Sequence, residues 1–308
     1  MGTPQFAAKP LKRLIIKGGS QWQVVGVVTG PDRPRGRGLE VTPTPVAEVG
    51  AASGVPVLKP TSMRDQEFVG QLRALAPDLL VVVAYGKILP KEVLEIPRIM
   101  PLNVHASLLP RHRGASPVEA AILAGDTQTG ITLIRMTEQM DAGPVLMQVA
   151  IPILPGDTQG SLKERLSELA ADTLEQALPA IAKGELAEAP QDETQATYCK
   201  PIKKQDAWID WSKDCVYIER MTRAYDPWPV ARSRLSGKEL LIFRAEALPD
   251  QHQAAWPGTV VEVQPEPVVA CGQGALKLLE VQLAGKRRVS GGDLVRGRHL
   301  QKGQRLGS

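Results

Sequence analysis

Asn103-Val104-His105 places an amide and an imidazole two residues apart, directly ahead of Ala106-Ser107-Leu108-Leu109-Pro110. An imidazole exchanges protons near neutral pH, and a primary amide donates hydrogen bonds without changing charge. The pair suits a reaction in which a proton moves while an oxyanion develops, as in acyl transfer. The stretch Met136-Thr137-Glu138-Gln139-Met140-Asp141-Ala142-Gly143-Pro144 adds a carboxylate, Asp141, in a loop made flexible by Ala142 and Gly143. A carboxylate beside His105 would orient the ring and favour its charged form, but Asp-Ala-Gly is equally an ordinary turn, and spacing leaves that contact open. Asn and His at a strand end also serve to satisfy loop backbone. Ser107 as an acyl nucleophile is disfavoured, because no nucleophile-elbow sequence surrounds it.

Charge offers a second kind of chemistry. Pro31-Asp32-Arg33-Pro34-Arg35-Gly36-Arg37-Gly38 packs three arginines among Pro and Gly. It reads either as a solvated mobile loop or as an arm that orders on phosphate oxygens, which match the guanidinium fork. Lys286-Arg287-Arg288 is followed by Arg296, Arg298, Lys302 and Arg305, with Asp293 the only acid from Lys286 onward. Residues 1–200 hold 20 Lys and Arg against 21 Asp and Glu, whereas 201–308 hold 17 against 12. The positive excess therefore sits in the C-terminal third, where a basic face can track a phosphate backbone. A basic solvated surface is the plain alternative. Trp208, Trp211, Trp228 and Trp256 are expected mostly in the core, with base stacking as their other use.

Positioning these residues requires a sheet. Val24–Thr29 and Leu79–Ala84 are apolar, β-rich runs that read as buried parallel strands, and Thr61–Ala76 between them carries Phe68, Val69, Leu72 and Leu75 at helical spacing. Leu102–His105, Ile131–Met136 and Val145–Ile151 read as further strands. Ser116-Pro117-Val118-Glu119 opens a helix from Pro117 to about Ala124, and Ser161–Lys183 is a long helix closed by Gly184. With a strand period of two, Asn103 and His105 point to one side, at the strand's carboxyl end, where open α/β sheets bind ligands. Glu185–Gln205 is polar, holds Pro190 and Pro201, and has no period, so it reads as a linker. One helix at Val216–Tyr225 and short strands at Val230–Leu235, Glu239–Ala245, Thr259–Val263, Val268–Cys271 and Leu276–Val281 then predict a small barrel.

A chain of 308 residues predicts two domains: residues 1–185, a linker at 186–205, and 206–308. A hydrophobic fraction of 43% and a charged fraction of 23% are those of an ordinary globular protein, which excludes disordered and fibrous classes. Cys199, Cys215 and Cys271 are too few and too far apart for a disulfide framework or a Cys-x-x-Cys metal site. No apolar run approaches a membrane span, and no basic-then-apolar leader follows Met1, so a cytoplasmic protein is expected.

Asn103-x-His105 with Ser-Leu-Leu-Pro-Arg-His-Arg-Gly behind it, and Asp141 in its loop, resembles the 10-formyltetrahydrofolate-dependent formyltransferases. Residues 2–8, the Pro-Asp-Arg-Pro-x-Gly-Arg-Gly loop, Asp192-Glu193-Thr194, Ile209-Asp210-Trp211 and Arg223-Ala224-Tyr225-Asp226-Pro227-Trp228-Pro229 extend the likeness, toward the methionyl-tRNA branch, across nearly the whole chain. The resemblance implies an α/β fold with a Rossmann-like formyltransferase domain followed by a small OB-like β-barrel domain. It implies a catalytic trio of Asn103, His105 and Asp141, and a folate site at Ser107, Leu108, Leu109 and Pro110. Arg33, Arg35 and Arg37 would contact tRNA, with Lys286, Arg287 and Arg288 on the second domain. The co-substrate would be 10-formyltetrahydrofolate, without a metal, and the acceptor methionyl initiator tRNA, bound by a monomer.

The family places a buried first strand before Gly-Thr-Pro, whereas here Met1 immediately precedes Gly2-Thr3-Pro4. The natural chain is therefore expected to begin earlier, and the sheet to carry an open groove. Three other functions share part of the pattern: a formyltetrahydrofolate hydrolase or dehydrogenase-type domain, a sugar-nucleotide amine formyltransferase, and a non-catalytic tRNA-binding protein on the same scaffold. The basic arm and the basic barrel favour tRNA over the first, since a hydrolase has no use for them, and the intact trio argues against the last.

Overall fold

The structure is a computed structural model describing all residues except 20, 36–39, 252–254 and 308, and, at 33–35 and 40, the backbone alone. The elements run α1 (Gln5–Lys17), β1 (Val27–Val28), β2 (Arg33–Arg35), β3 (Glu40–Thr42), α2 (Pro45–Ala52), β4 (Val57–Leu58), α3 (Gln66–Ala74), β5 (Leu79–Val83), α4 (Lys91–Leu94), β6 (Met100–His105), β7 (Arg113–Gly114), α5 (Pro117–Ala124), β8 (Gln128–Arg135), β9 (Val145–Pro152), α6 (Gln159–Lys183) and β10 (Tyr198–Cys199). There follow α7 (Cys215–Ala224), β11 (Ala231–Leu235), β12 (Lys238–Leu248), β13 (Val260–Glu262), β14 (Val268–Ala270), β15 (Ala275–Leu283), β16 (Val289–Ser290) and α8 (Gly291–Arg296). The chain divides into two compact units. The first comprises Met1–Pro117, Gln128–Pro152 and Lys163–Lys200; the second comprises Val118–Thr127, Ile153–Leu162 and Pro201–Ser308.

In the first unit a sheet of order β5-β6-β8-β9 pairs β5 with β6 in parallel and the other neighbours antiparallel. Leu102 and Val104 alternate with Asn103 and His105 along β6 and are buried, as are Ile131 and Leu133 of β8. The alternation that builds this core is what turns the amide and imidazole to the opposite face. A separate parallel pair, β1 with β4, is shorter than the expected Val24–Thr29 strand, because only Val27 and Val28 find partners, in Val57 and Leu58. Met1 and Gly2 lie between the two sheets: the Gly2 amide donates to the Val28 carbonyl at 3.0 Å, and the Val83 amide to the Met1 carbonyl at 2.8 Å. The expected helix at Thr61–Ala76 begins later, at Gln66, where the Asp65 carboxylate accepts from the Glu67 amide at 3.0 Å. On the α6 side, Arg13 of α1 bonds Asp172 at 2.8 Å and Glu175 at 3.0 Å.

The polar stretch expected as a linker does not run free. Tyr198 and Cys199 form β10, which pairs in parallel with Arg113 and Gly114 of β7, so residues 186–200 belong to the first unit. Polar residues without a period still fold when their bonds go to a neighbouring strand rather than to one another. Gly114 makes the pairing possible. At φ +117°, a Cβ there would stand 2.2 Å from the Cys199 carbonyl oxygen. Gly114→Ala should therefore undock β10 and lower stability by about 3 kcal/mol, which a thermal melt checks as a midpoint several degrees below that of the parent.

The second unit holds an antiparallel sheet of order β11-β12-β15-β14-β13, with β16 on the flank of β15. Helix α7, capped where the Asp214 carboxylate accepts from the Val216 amide at 2.7 Å, buries Ile218 and Met221. Arg232 is buried; it donates to the carbonyls of Pro229 and Val230 and pairs with Glu239, which secures the Asp-Pro-Trp-Pro turn. Among the tryptophans only Trp211 is core, 5% exposed with its indole N–H on Ser233 Oγ at 3.0 Å. Trp208, Trp228 and Trp256 are 41%, 54% and 78% exposed, contrary to expectation, because each lies in the connections between elements rather than on an inward sheet face.

Candidate active site

Asn103, His105 and Asp141 come together although 38 residues separate Asn103 from Asp141. Strand β6 delivers the first two on one face, and the loop after β8 delivers the third. Asn103 Nδ2 donates to Asp141 Oδ1 at 3.1 Å, and His105 Nδ1 stands 3.5 Å from Asp141 Oδ2. The same Oδ2 accepts the Gly114 amide at 2.8 Å. A carboxylate accepts only, so its neighbour must be the amide nitrogen of Asn103. His105 Nε2 lies 2.9 Å from the His112 carbonyl oxygen, and an acceptor there requires a hydrogen on Nε2. A ring protonated on both nitrogens satisfies both neighbours.

The site is enclosed on the protein side, with the His105 and Asp141 side chains only 6% and 14% exposed. Low exposure strengthens each charge-dependent contact. Asp141 is held at φ +51°, a left-handed conformation that Asp tolerates better than most residues. Gly143 lets the loop turn tightly, since a Cβ there would fall 1.8 Å from the Arg135 carbonyl oxygen. Beyond β5, Tyr85 is buried in the core with Val28, Phe68 and Leu89, its hydroxyl without a partner among the described residues, and burial pushes its phenol up to about 12.

The segment Ser107 to Pro110 is pinned by residues that carry no sequence signal. Thr132, opposite His105 in the β6–β8 register, donates to the Ser107 carbonyl at 2.6 Å and accepts from the Leu109 amide at 3.2 Å. Gln148 on β9 donates to Thr132 Oγ1 at 2.9 Å and to the Leu109 carbonyl at 3.0 Å. Ser107 is fully buried with its hydroxyl on the Arg111 carbonyl at 2.6 Å, and Leu109 is buried, while Leu108 and Pro110 are partly exposed. Ser107 and Leu109 thus shape the loop from within.

Of the arginines in the basic loop, Arg33 and Arg35 lie on β2, paired with Thr42 and Glu40 of β3, so this part is strand rather than mobile loop; Arg37 lies outside the described residues. In the second unit Lys286, Arg287 and Arg288 are all exposed but not equivalent. Arg288 bonds Glu280 at 2.6 Å and lies 3.9 Å from the centroid of the Phe243 ring. No helix among the described residues is long and apolar enough to cross a membrane.

Comparison with known proteins identifies the family. The formyl transferase family model matches residues 1–178, and the formyl transferase C-terminal domain matches residues 201–299. The chain is 46% identical to the methionyl-tRNA formyltransferase of Roseiflexus sp. (strain RS-1) over 100% of its own length and 94% of that protein's, and 46% identical to that of Methylococcus capsulatus over 100% and 98%. Among solved structures, WlaRD, a sugar 3N-formyl transferase studied with dTDP and 5-N-formyl-tetrahydrofolate, matches at TM-score 0.67 and 15% identity, covering 93% of this chain and 97% of WlaRD. That likeness shows a shared fold; the family model shows the formyltransferase N-terminal domain. With both family domains in order, and near-half identity running from end to end, the chain belongs to the methionyl-tRNA formyltransferase family.

Proposed function

We propose that this protein transfers the formyl group of 10-formyltetrahydrofolate to the α-amino group of methionine esterified to initiator tRNA, with Asn103, His105 and Asp141 as its reacting residues. The convergence of these three side chains carries the reading. The aminoacyl nitrogen attacks the formyl carbon, the carbonyl becomes an oxyanion, and the bond to the folate nitrogen breaks. The nitrogen that attacked loses a proton and the departing folate nitrogen gains one. Asn103 donates its second amide N–H to the oxyanion, a contact worth roughly 3 to 4 kcal/mol in such sites. His105 relays the proton between the two nitrogens, and Asp141 balances the charge of the ring as it moves. No covalent enzyme intermediate is required. Leu108 and Pro110 offer apolar surface to the folate beside the trio. Cys199, Cys215 and Cys271 form no disulfide among the described residues, which suits a reducing, cytoplasmic setting.

The tRNA would lie along Arg33, Arg35 and Arg37 and the exposed basic residues of the second unit. Binding of methionyl-tRNA should then weaken steeply with salt, because each neutralised phosphate releases counterions. Replacing Lys286 and Arg287 together by Ala should lower the slope of log K against log salt by about 2, one for each lost contact. Arg288→Ala should change it less, since Glu280 already neutralises that guanidinium. A salt titration by filter binding reads both; slopes that do not respond to these substitutions would remove the basic tail from the interface.

A further inference from the structure

We infer that Gln191 is a positioning residue for formyl transfer, clamping the Asp141 loop in its reactive geometry while Arg113 anchors the clamp; this rests on the assignment of Asn103, His105 and Asp141 as the reacting centre. The Gln191 side-chain amide is saturated. Its Nε2 donates to the carbonyl of Asp141 at 2.8 Å and to that of Gly143 at 2.7 Å. Its Oε1 accepts from Arg113 Nη2 at 2.8 Å and Nε at 3.1 Å. One side chain therefore fixes the backbone on both sides of Ala142, including Asp141, which is held at φ +51°.

The anchor is equally specific. Arg113 is 1% exposed, and its guanidinium donates to Glu193 at 2.7 and 2.9 Å and to the Tyr198 hydroxyl at 3.2 Å. The Glu193 carboxylate raises Arg113 above its ordinary range and is itself lowered by the same pair. A few residues on, Thr197 Oγ1 accepts the His112 amide at 2.8 Å, and the His112 carbonyl is the partner of His105 Nε2. Residues 191–197 thus reach Asp141 through Gln191 and His105 through His112. Both sides of the His105–Asp141 pair, 3.5 Å apart, are braced from this one segment.

Gln191→Glu separates clamp from anchor. A carboxylate keeps both acceptor contacts with Arg113 but has no donor for the two carbonyl oxygens, so Arg113 stays held while the loop is released. We expect kcat per folate-binding site to fall about 10- to 100-fold, with KM for both substrates within about threefold and the melting midpoint near that of the parent. The protein has four histidines, so ring 15N spectra are assignable by substitution. His105 signals should move, while those of His299 in the second unit should not. Gln191→Met, of similar length with no amide, carries the same expectation for kcat per folate-binding site and for the His105 signals, though not for the melting midpoint since Arg113 loses its acceptor, should the first variant fold poorly. Parental kcat per site with unmoved His105 signals would overturn the inference, as would a loss of activity that merely tracks the loss of folded, folate-binding protein. If His105→Ala retained full turnover, the assignment of the centre itself would fail, whatever Gln191 does.

Discussion

His105→Ala is expected to slow formyl transfer by about a thousandfold, within the range found for positioned proton-transfer groups, while affinity for methionyl-tRNA changes little. The ring sits between the Asp141 carboxylate and the His112 carbonyl, and neither neighbour can give a proton in its place. Truncation leaves the His112 carbonyl without that donor, a cost of about 1 to 2 kcal/mol that a two-unit protein of this size should tolerate. The phosphate contacts proposed above lie on other residues, so filter binding should give a Kd near that of the parent. Equal losses of turnover and affinity would contradict the role.

Asp141→Asn is expected to cost roughly 10³- to 10⁴-fold in kcat, as when an acceptor that orients a catalytic imidazole is made neutral. The substitution is nearly isosteric, and Asn adopts the left-handed backbone as readily as Asp, so φ +51° need not change. What changes is hydrogen-bond polarity. Both oxygens now accept, one from Asn103 Nδ2 and the other from the Gly114 amide. An amide at this position has one acceptor, so its NH2 group must confront one of those donors. Steady-state kinetics with an unaltered melting curve would localise the loss to the site; a kcat within tenfold of the parent would mean that Asp141 does not tune His105.

Much of this centre is legible in the chain. The two-residue spacing of Asn103 and His105 on an apolar strand predicts their common face, and β6 places them so because Leu102 and Val104 must be buried. The contact with Asp141 is not legible from spacing, because it depends on a loop returning across 38 residues, and only the family resemblance points to it. Gln191 and Arg113 escape for a different reason. They sit in segments without apolar periodicity, where the folding signal is the complementarity of two remote polar stretches, realised in the two-residue pairing of β7 with β10. Helix α1 is similarly obscure: it contains Pro10, and it is held by the burial of Ala7, Ala8 and Leu14, with Arg13 bonding to acids on α6, rather than by local propensity. The exposed tryptophans show the limit of composition, since an indole in a connection need not be buried.

The most direct test is to incubate the purified protein with 10-formyltetrahydrofolate, with and without methionine-charged initiator tRNA, and to follow formylmethionyl-tRNA and free formate separately. The account predicts formylmethionyl-tRNA when the charged tRNA is present and no appreciable formate in its absence. Formate released without tRNA, or neither product, would contradict it.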